Sequence, residues 1–359
     1  MSAAEQDAGA TGEQDAGATA GQAQDYAAEL GGFVLARGTV DRMSARRGDT
    51  EWLAAAWADP QTRVLVLDQG RALVRFGEQN AELVLAGPGE APEGLQFLLG
   101  ADDGGVTYFG VLGPPGWLET HGDSPAPEQQ TAPEQQTVSE QAWLHRQEPG
   151  VRLAGLREAA ALLADRDAGL FTHAVALANW HVSHTHCPRD GTLTQPIAAG
   201  HARRCPTDGS EHFPRIDPAV IMLVTDPDDR CLLARNKAWP ERRVSILAGF
   251  VDPGESAERA VAREVSEEAG ITVGRVTYLG SQPWPMPRSL MLGFHAFAEG
   301  GQRISVDAEE IGEARWFSRE QLLASLEARE LALPPPVSIA RQIIEAWYGG
   351  DLPDGASFG

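Results

Sequence analysis

Apolar positions follow three different rhythms along this chain of 359 residues. Between 63 and 112 they come in five short runs: RVLVLDQG (63–70), ALVRFG (72–77), AELVLAG (81–87), GLQFLLG (94–100) and GVTYFGVL (105–112). Gly, Pro, Asn and Asp separate them, and short runs with turn chemistry between predict a mostly antiparallel β domain, bounded here at 26–112. From 151 to 180 Ala and Leu recur at helical intervals, which predicts a helical connector over 151–182. Beyond 216 strand and helix patterns alternate. AVIMLVTD (219–226) and CLLARN (231–236) read as a strand pair, and an amphipathic helix near 338–347 closes an α/β domain spanning 216–348.

Two segments have no rhythm at all. EQDAGAT occurs at 5–11 and again at 13–19, and APEQQT at 126–131 and again at 132–137. Without large apolar residues neither can bury enough surface to offset ordering, so 1–25 reads as a disordered tail and 113–150 as a linker or insertion, with a polar tail at 349–359.

The net charge of −22 argues against a long nucleic-acid footprint, which needs clustered Lys and Arg. It leaves room for a small phosphorylated ligand whose charge is met by a divalent cation. The three cysteines, Cys187, Cys205 and Cys231, are too few for a disulfide framework and fit a reducing compartment. The N-terminus lacks the basic and apolar regions of a signal peptide, and no apolar run approaches the ~20 residues of a membrane span. The expectation is a soluble cytoplasmic protein. His173, on the connector helix, and Cys231, opening an apolar strand, read as packing residues.

The densest chemistry lies in GFVDPGESAERAVAREVSEEAGI, residues 249–271. Ser256 suits a helix N-cap and Gly270 a left-handed terminator. Val261, Val265 and Ala269 recur every fourth residue as a buried stripe, and Glu264, Glu267 and Glu268 stand at i, i+3 and i+4 on an adjacent face. Like charges there repel, and oxygen-rich clusters of this kind are what Mg²⁺ or Mn²⁺ requires. Arg263 beside them can hold one carboxylate by a bidentate pair. The alternative is a solvated acidic face.

The fixed positions decide between the two. Gly249, Glu255, Arg263, Glu264, Val265, Glu267, Glu268, Gly270 and Ile271 stand at the spacing of the Nudix box, so the segment resembles that of the Nudix hydrolase superfamily. SQPWPMPRSLM (281–291) resembles the motif of the NADH pyrophosphatase (NudC-like) subgroup, with Met286 where that subgroup has Phe. VDAEEIGEARWF (306–317), LPPPVSIARQII (333–344) and HFPRIDPAVIMLV (212–224) resemble further subgroup segments, so the likeness runs over 150–347.

The resemblance implies an α/β/α sandwich catalytic domain preceded by a mostly β N-terminal domain and a zinc-ribbon-like segment at 183–215. It implies Mg²⁺ or Mn²⁺ held by Glu264, Glu267, Glu268, Glu310 and the carbonyl of Ala248, with Arg263 among the catalytic residues and the general base open between Glu264 and Glu267. It places substrate contacts at Phe213, Phe250, Ala340 and the loop Gln282, Pro283, Trp284, Pro285, Met286, Pro287, Arg288 and Ser289. The loop text itself, with prolines alternating with Gln282, Trp284 and Met286, reads as stiff extended backbone. The implied reaction splits the pyrophosphate of NADH or NAD⁺ into NMN(H) and AMP, with removal of an NAD cap from RNA as a second activity, in a homodimer. The alternatives are another dinucleotide, such as ADP-ribose or a diadenosine polyphosphate, and a silent NAD-sensing module.

One feature departs from the subgroup. CPRDG (187–191) and CPTDG (205–209) stand where its ribbon carries two CxxC zinc knuckles, so Asp190 and Asp208 replace the second thiolate of each. Cys187, Asp190, Cys205 and Asp208 have the formal charge of four thiolates but not their softness, while Asp-Gly makes a turn unaided. The expectation is a ribbon without its ion, the alternative a mixed thiolate–carboxylate zinc site.

Overall fold

The computed structural model describes residues 32–120 and 148–355. The expected tail at 1–25 and both APEQQT copies lie outside them.

Each apolar run between 63 and 112 forms a strand: β1 (Arg63–Leu67), β2 (Arg71–Phe76), β3 (Ala81–Leu83), β4 (Leu95–Ala101) and β5 (Thr107–Leu112). They divide between two three-stranded sheets, ordered β1-β5-β4 and β3-β2-β6, where β6 is Val151–Gly155. The expected antiparallel arrangement holds except that β1 and β5 run parallel, Arg63 opposite Tyr108 through Leu67 opposite Leu112. A tight turn at 68–71 carries the chain from β1 into the second sheet, and the long return from there can bring β5 back along β1 in the same direction.

Residues 151–155 are strand and not helix. The free edge of β2 captures them, Arg71 pairing with Gly155 and Arg75 with Val151, and edge hydrogen bonding outweighs the helical preference of Ala and Leu. A single helical turn, Leu156–Ala159, precedes the long helix α2 (Asp165–Ser183); the shorter α1 spans Thr50–Ala58. Leu170, Phe171, Ala174 and Leu177 of α2 bury into the same core as Leu65, Val74, Phe97 and Leu99. The first core is therefore built from chain on both sides of the segment 113–147.

After α2 three short strands, β7 (Gln195–Ile197), β8 (Ala202–Arg204) and β9 (Glu211–His212), form the ribbon's sheet. Beyond them a six-stranded mixed sheet has the order β13-β14-β10-β11-β15, with β12 also on β10. Its strands are β10 (Asp217–Thr225), β11 (Cys231–Asn236), β12 (Leu247–Phe250), β13 (Val273–Trp284), β14 (Ser289–Ala298) and β15 (Ile311–Phe317). Helix α3 (Ala257–Ala269) packs on one face through Val261, Val265 and Ala269. Helices α4 (Arg319–Glu327) and α5 (Ile339–Tyr348) pack on the other through Leu322, Leu326, Ile339, Ile343 and Trp347, which makes the α/β/α sandwich. Phe33 lodges in this second core while Leu35 sits in the first, so residues 33–35 clasp the two. Cys231 is fully buried in the second core and His173 is buried on α2. Among the described residues no helix is long and apolar enough to cross a membrane.

Candidate active site

Helix α3 begins and ends as its sequence dictates. The Ser256 hydroxyl accepts from the backbone N–H of Arg259 at 3.3 Å, and Gly270, at φ +66°, donates to the Ser266 carbonyl at 3.0 Å. With Val261, Val265 and Ala269 fully buried, the helix cannot rotate, and its register aims Glu264 and Glu268 at strand β12. Gly249 allows the close approach: a Cβ at that position would overlap the Glu264 carboxylate.

Arg263 organises the acidic residues. Its Nε and Nη2 bind the two carboxylate oxygens of Glu255 at 3.0 and 2.9 Å. Nη1 donates to Glu264 at 2.8 Å and to Glu267 at 3.0 Å, and Nη2 also donates to the Phe250 carbonyl at 2.9 Å. One guanidinium thus ties the loop after β12 to three carboxylates. Glu255, a fixed position of the box to which the motif alone assigns no role, is the bidentate partner; its place eight residues before Arg263 was the available signal.

Glu268 is 6% exposed, and its Oε2 has no hydrogen-bond partner. Burial, reinforced by the charges of Glu264, Glu310 and Glu267, pushes its carboxyl up to about 8. Burial also raises Glu264, against the pull of Arg263. The Glu268 carboxyl faces the backbone of Ala248, and Glu310 arrives from the turn before β15, where its carbonyl accepts from the Lys237 N–H at 2.9 Å. A buried carboxylate with an orphaned oxygen among three further carboxylates suits a hard divalent cation. The glutamate oxygens do not all converge within 4.8 Å of one another, since Arg263 holds Glu264 and Glu267; among the described residues the group that does so is Cys187, Asp190 and Cys205.

The expected substrate contacts divide. Phe213 and Phe250 are 61% and 59% exposed, as rings free to stack must be. Trp284 and Ser289 face each other across a hairpin, so 285–288 is its turn and the extended reading holds only up to Trp284; the Met286–Pro287 bond is cis. Asn179 of α2 donates to the Pro285 carbonyl at 2.6 Å, and Arg157 contacts the Met286 sulfur at 3.1 Å, so the first core holds the turn in place. Arg288 donates to Asp217 at 2.7 Å.

Gln282 and Ala340 behave differently from expectation. Gln282 is fully buried, its Oε1 accepting from Leu35 at 3.2 Å and its Nε2 donating to the Val337 carbonyl at 3.1 Å. Fully buried, with one bond at each amide atom, it links β13 to residues 35 and 337 of the chain. Ala340 is 2% exposed, its methyl packed in the core beneath α5.

In the ribbon, the two Cys-Pro-x-Asp-Gly turns have the same hydrogen bonds. Gly191 donates to the Cys187 carbonyl at 2.9 Å and Gly209 to that of Cys205 at 3.0 Å, with φ of +72° and +74°, where glycine is favoured. Asp190 accepts from the Thr192 N–H at 2.9 Å and from the Cys205 thiol at 3.5 Å. Asp208 accepts from the Ser210 N–H and hydroxyl at 2.8 and 2.6 Å, which holds its carboxyl down at about 2. Cys187, Asp190 and Cys205 bring their donor atoms within 4.8 Å of one another, while Asp208 binds Ser210 through one carboxylate oxygen and also lies within reach of the Cys205 thiol.

A NUDIX domain model matches residues 215–335, and a model described as the NADH pyrophosphatase zinc ribbon domain matches residues 183–213. Over 329 residues the chain is 40% identical to a Mycobacterium bovis protein named NAD-capped RNA hydrolase NudC, an alignment covering 88% of this chain and 94% of that one. The Mycobacterium tuberculosis protein of the same name aligns with the same identity and coverage. A human protein, NAD-capped RNA hydrolase NUDT12, is 43% identical over 197 residues, 52% of this chain and 42% of its own length.

Proposed function

This chain belongs to the NudC-type Nudix hydrolases, and from that premise we propose that it splits the pyrophosphate of NADH and NAD⁺ into NMN(H) and AMP and removes the NAD cap from RNA by the same cut. Water forms a new bond to one phosphorus as the bridging P–O bond breaks. The observation that carries the reading is Glu268, a buried carboxylate with an orphaned oxygen beside Glu264 and Glu310. A Mg²⁺ or Mn²⁺ ion at these residues, Glu267 and the Ala248 carbonyl would neutralise the charge on the pyrophosphate and ease ionisation of water. Arg263 holds Glu264 and Glu267 in position. Phe213 and Phe250 offer exposed faces to the rings, and the turn at 285–288 is fixed against the first core.

All box glutamates are present, which favours an enzyme over a silent sensor. Family resemblance supports a homodimer, three free cysteines support the cytoplasm, and the self-satisfied turns support a ribbon without zinc. The test is purified protein with Mg²⁺ or Mn²⁺ and, separately, NADH, NAD⁺ and ADP-ribose, the products resolved by chromatography. NMNH and AMP from NADH are expected; turnover of ADP-ribose alone would move the protein to another Nudix substrate, and turnover of none would leave a sensor.

A further inference from the structure

The turn between β13 and β14 is short of hydrogen-bond donors. Pro285 and Pro287 have no N–H, and Pro283 removes another from the strand leading in. Backbone carbonyls in such a turn must find their donors elsewhere. The Trp284 carbonyl accepts from the Met286 N–H at 2.8 Å, and the Arg288 carbonyl accepts from the Asp217 N–H of β10 at 3.0 Å. The carbonyls of the two prolines meet one side chain. Asn179 Nδ2 donates to Pro285 at 2.6 Å and to Pro287 at 3.3 Å.

Asn179 comes from the other core. It lies near the end of α2, and its neighbours Leu177 and Ala178 are buried in the core of the first domain, so the helix holds the amide at a fixed height. Asn is a poorer helix former than the Ala and Leu around it, so local propensity does not account for the residue. An amide nitrogen carries two hydrogens, one for each carbonyl, whereas a carboxylate of the same shape would set acceptors against acceptors. Trp284 and Met286, on either side of Pro285, pack against the same first core. The backbone and the side chains of the turn are therefore both placed by the first domain, although the strands it joins belong to the second.

We propose that Asn179 is a positioning residue for dinucleotide binding, through which the N-terminal domain sets the affinity of a site on the catalytic domain. The proposal rests on the reading that the turn at 285–288 meets the dinucleotide. Asn179 touches the turn and none of the acidic residues, and Arg263 holds Glu264 and Glu267 without help from the turn. Its loss should therefore weaken binding and leave the chemical step in place.

Steady-state NADH hydrolysis by the full chain with Mn²⁺ separates KM from kcat in three variants. Asn179→Ala removes both bonds and should raise KM about tenfold, equivalent to ~1.4 kcal/mol, with kcat within about twofold of wild type. Asn179→Asp should raise KM further, and Asn179→Gln, which keeps the amide, should recover part of the loss. The dissociation constant of NADH, read from its own fluorescence without divalent cation, should rise with KM in each variant. Unchanged KM in the Ala and Asp variants would overturn the proposal. So would a fall in kcat at constant KM, or equal losses in the Gln and Ala variants, because either would mark damage to the fold and not to the position of the turn. A wild-type protein without NADH hydrolysis would overturn the proposed function itself, whereas an active wild type with indifferent variants would overturn only the role of Asn179.

Discussion

Replacing Gly249 by Ala separates the work of the site from the stability of the fold. The three atoms nearest the added Cβ all belong to the Glu264 carboxylate, so the fold can absorb it by moving the end of that side chain. To leave an ordinary non-bonded contact the carboxylate must retreat by about 1 Å or more. Gly249 does not have positive φ, so Ala introduces no backbone strain and even restricts the unfolded chain, an effect of about 0.4–1 kcal/mol in favour of folding. Thermal unfolding should therefore shift by no more than a few degrees. Glu264 cannot retreat without leaving its 2.8 Å bond to Arg263 or its place beside Glu268. A misplacement of that size costs about 100-fold in rate, or ~2.7 kcal/mol in the barrier. Steady-state NADH hydrolysis measured beside differential scanning fluorimetry gives both numbers. Wild-type kcat in the Gly249→Ala variant would refute the reasoning, because it would mean that the position of Glu264 is not what Gly249 protects.

Glu268→Gln should abolish turnover and, without divalent cations, stabilise the protein. Burial raises the folded-state pKa above the free value, so the ionised carboxylate opposes folding above about pH 4.5. A gain of about 1–2 kcal/mol in a pH 7 melt is expected, shrinking when Mg²⁺ is added, and a loss would contradict it. Burial likewise lowers His173 to about 3, and His181 and His201 to about 4. The His181 ring must be neutral, since Arg203 donates to Nδ1 at 3.0 Å while Nε2 meets the Gly200 carbonyl at 2.8 Å. The unfolded chain therefore takes up protons that the folded one refuses, and stability should fall as pH drops from about 6.5 toward 4, by up to ~1.4 kcal/mol per pH unit for each histidine. Urea titrations at pH 7, 6 and 5 test this, and a flat profile would count against it. Metal analysis of protein purified without added zinc should find less than stoichiometric zinc, whereas the double variant Asp190→Cys, Asp208→Cys should bind one ion per chain and melt higher. Stoichiometric wild-type zinc, lost on Asp190→Ala, would reverse the assignment.

Short-range features were legible without coordinates. Helix α3 has the cap, terminator and buried stripe that its residues specify, because capping, periodicity and left-handed glycine act within a few residues. The strands from 63 to 112 likewise follow from alternation and turn residues. Strand β6 did not: Val151–Gly155 resembles the helix that follows it, and only the unpaired edge of β2 draws it into a sheet. Parallel pairing of β1 with β5 is a long-range choice of the same kind.

Within the site, motif spacing determines which side chains share a helix face, so Glu264, Glu267 and Glu268 could be grouped from the residues alone, and the family resemblance singled them out with Arg263 from a solvated acidic face. Motif membership carries no information about exposure. Gln282 belongs to the same short text as Trp284, yet it is buried with both amide ends bonded across 247 and 55 residues of chain, to Leu35 and Val337. The same holds for the ribbon: the sequence determines that two aspartates replace two cysteines and that Asp208 can bond Ser210 two residues on, while folding decides that Asp190 meets the thiol of Cys205. The physical reason is common to all of these cases. Local hydrogen bonds and helical periodicity are properties of a few consecutive residues, whereas burial, edge pairing and the final partner of a polar atom depend on which distant segment arrives beside it.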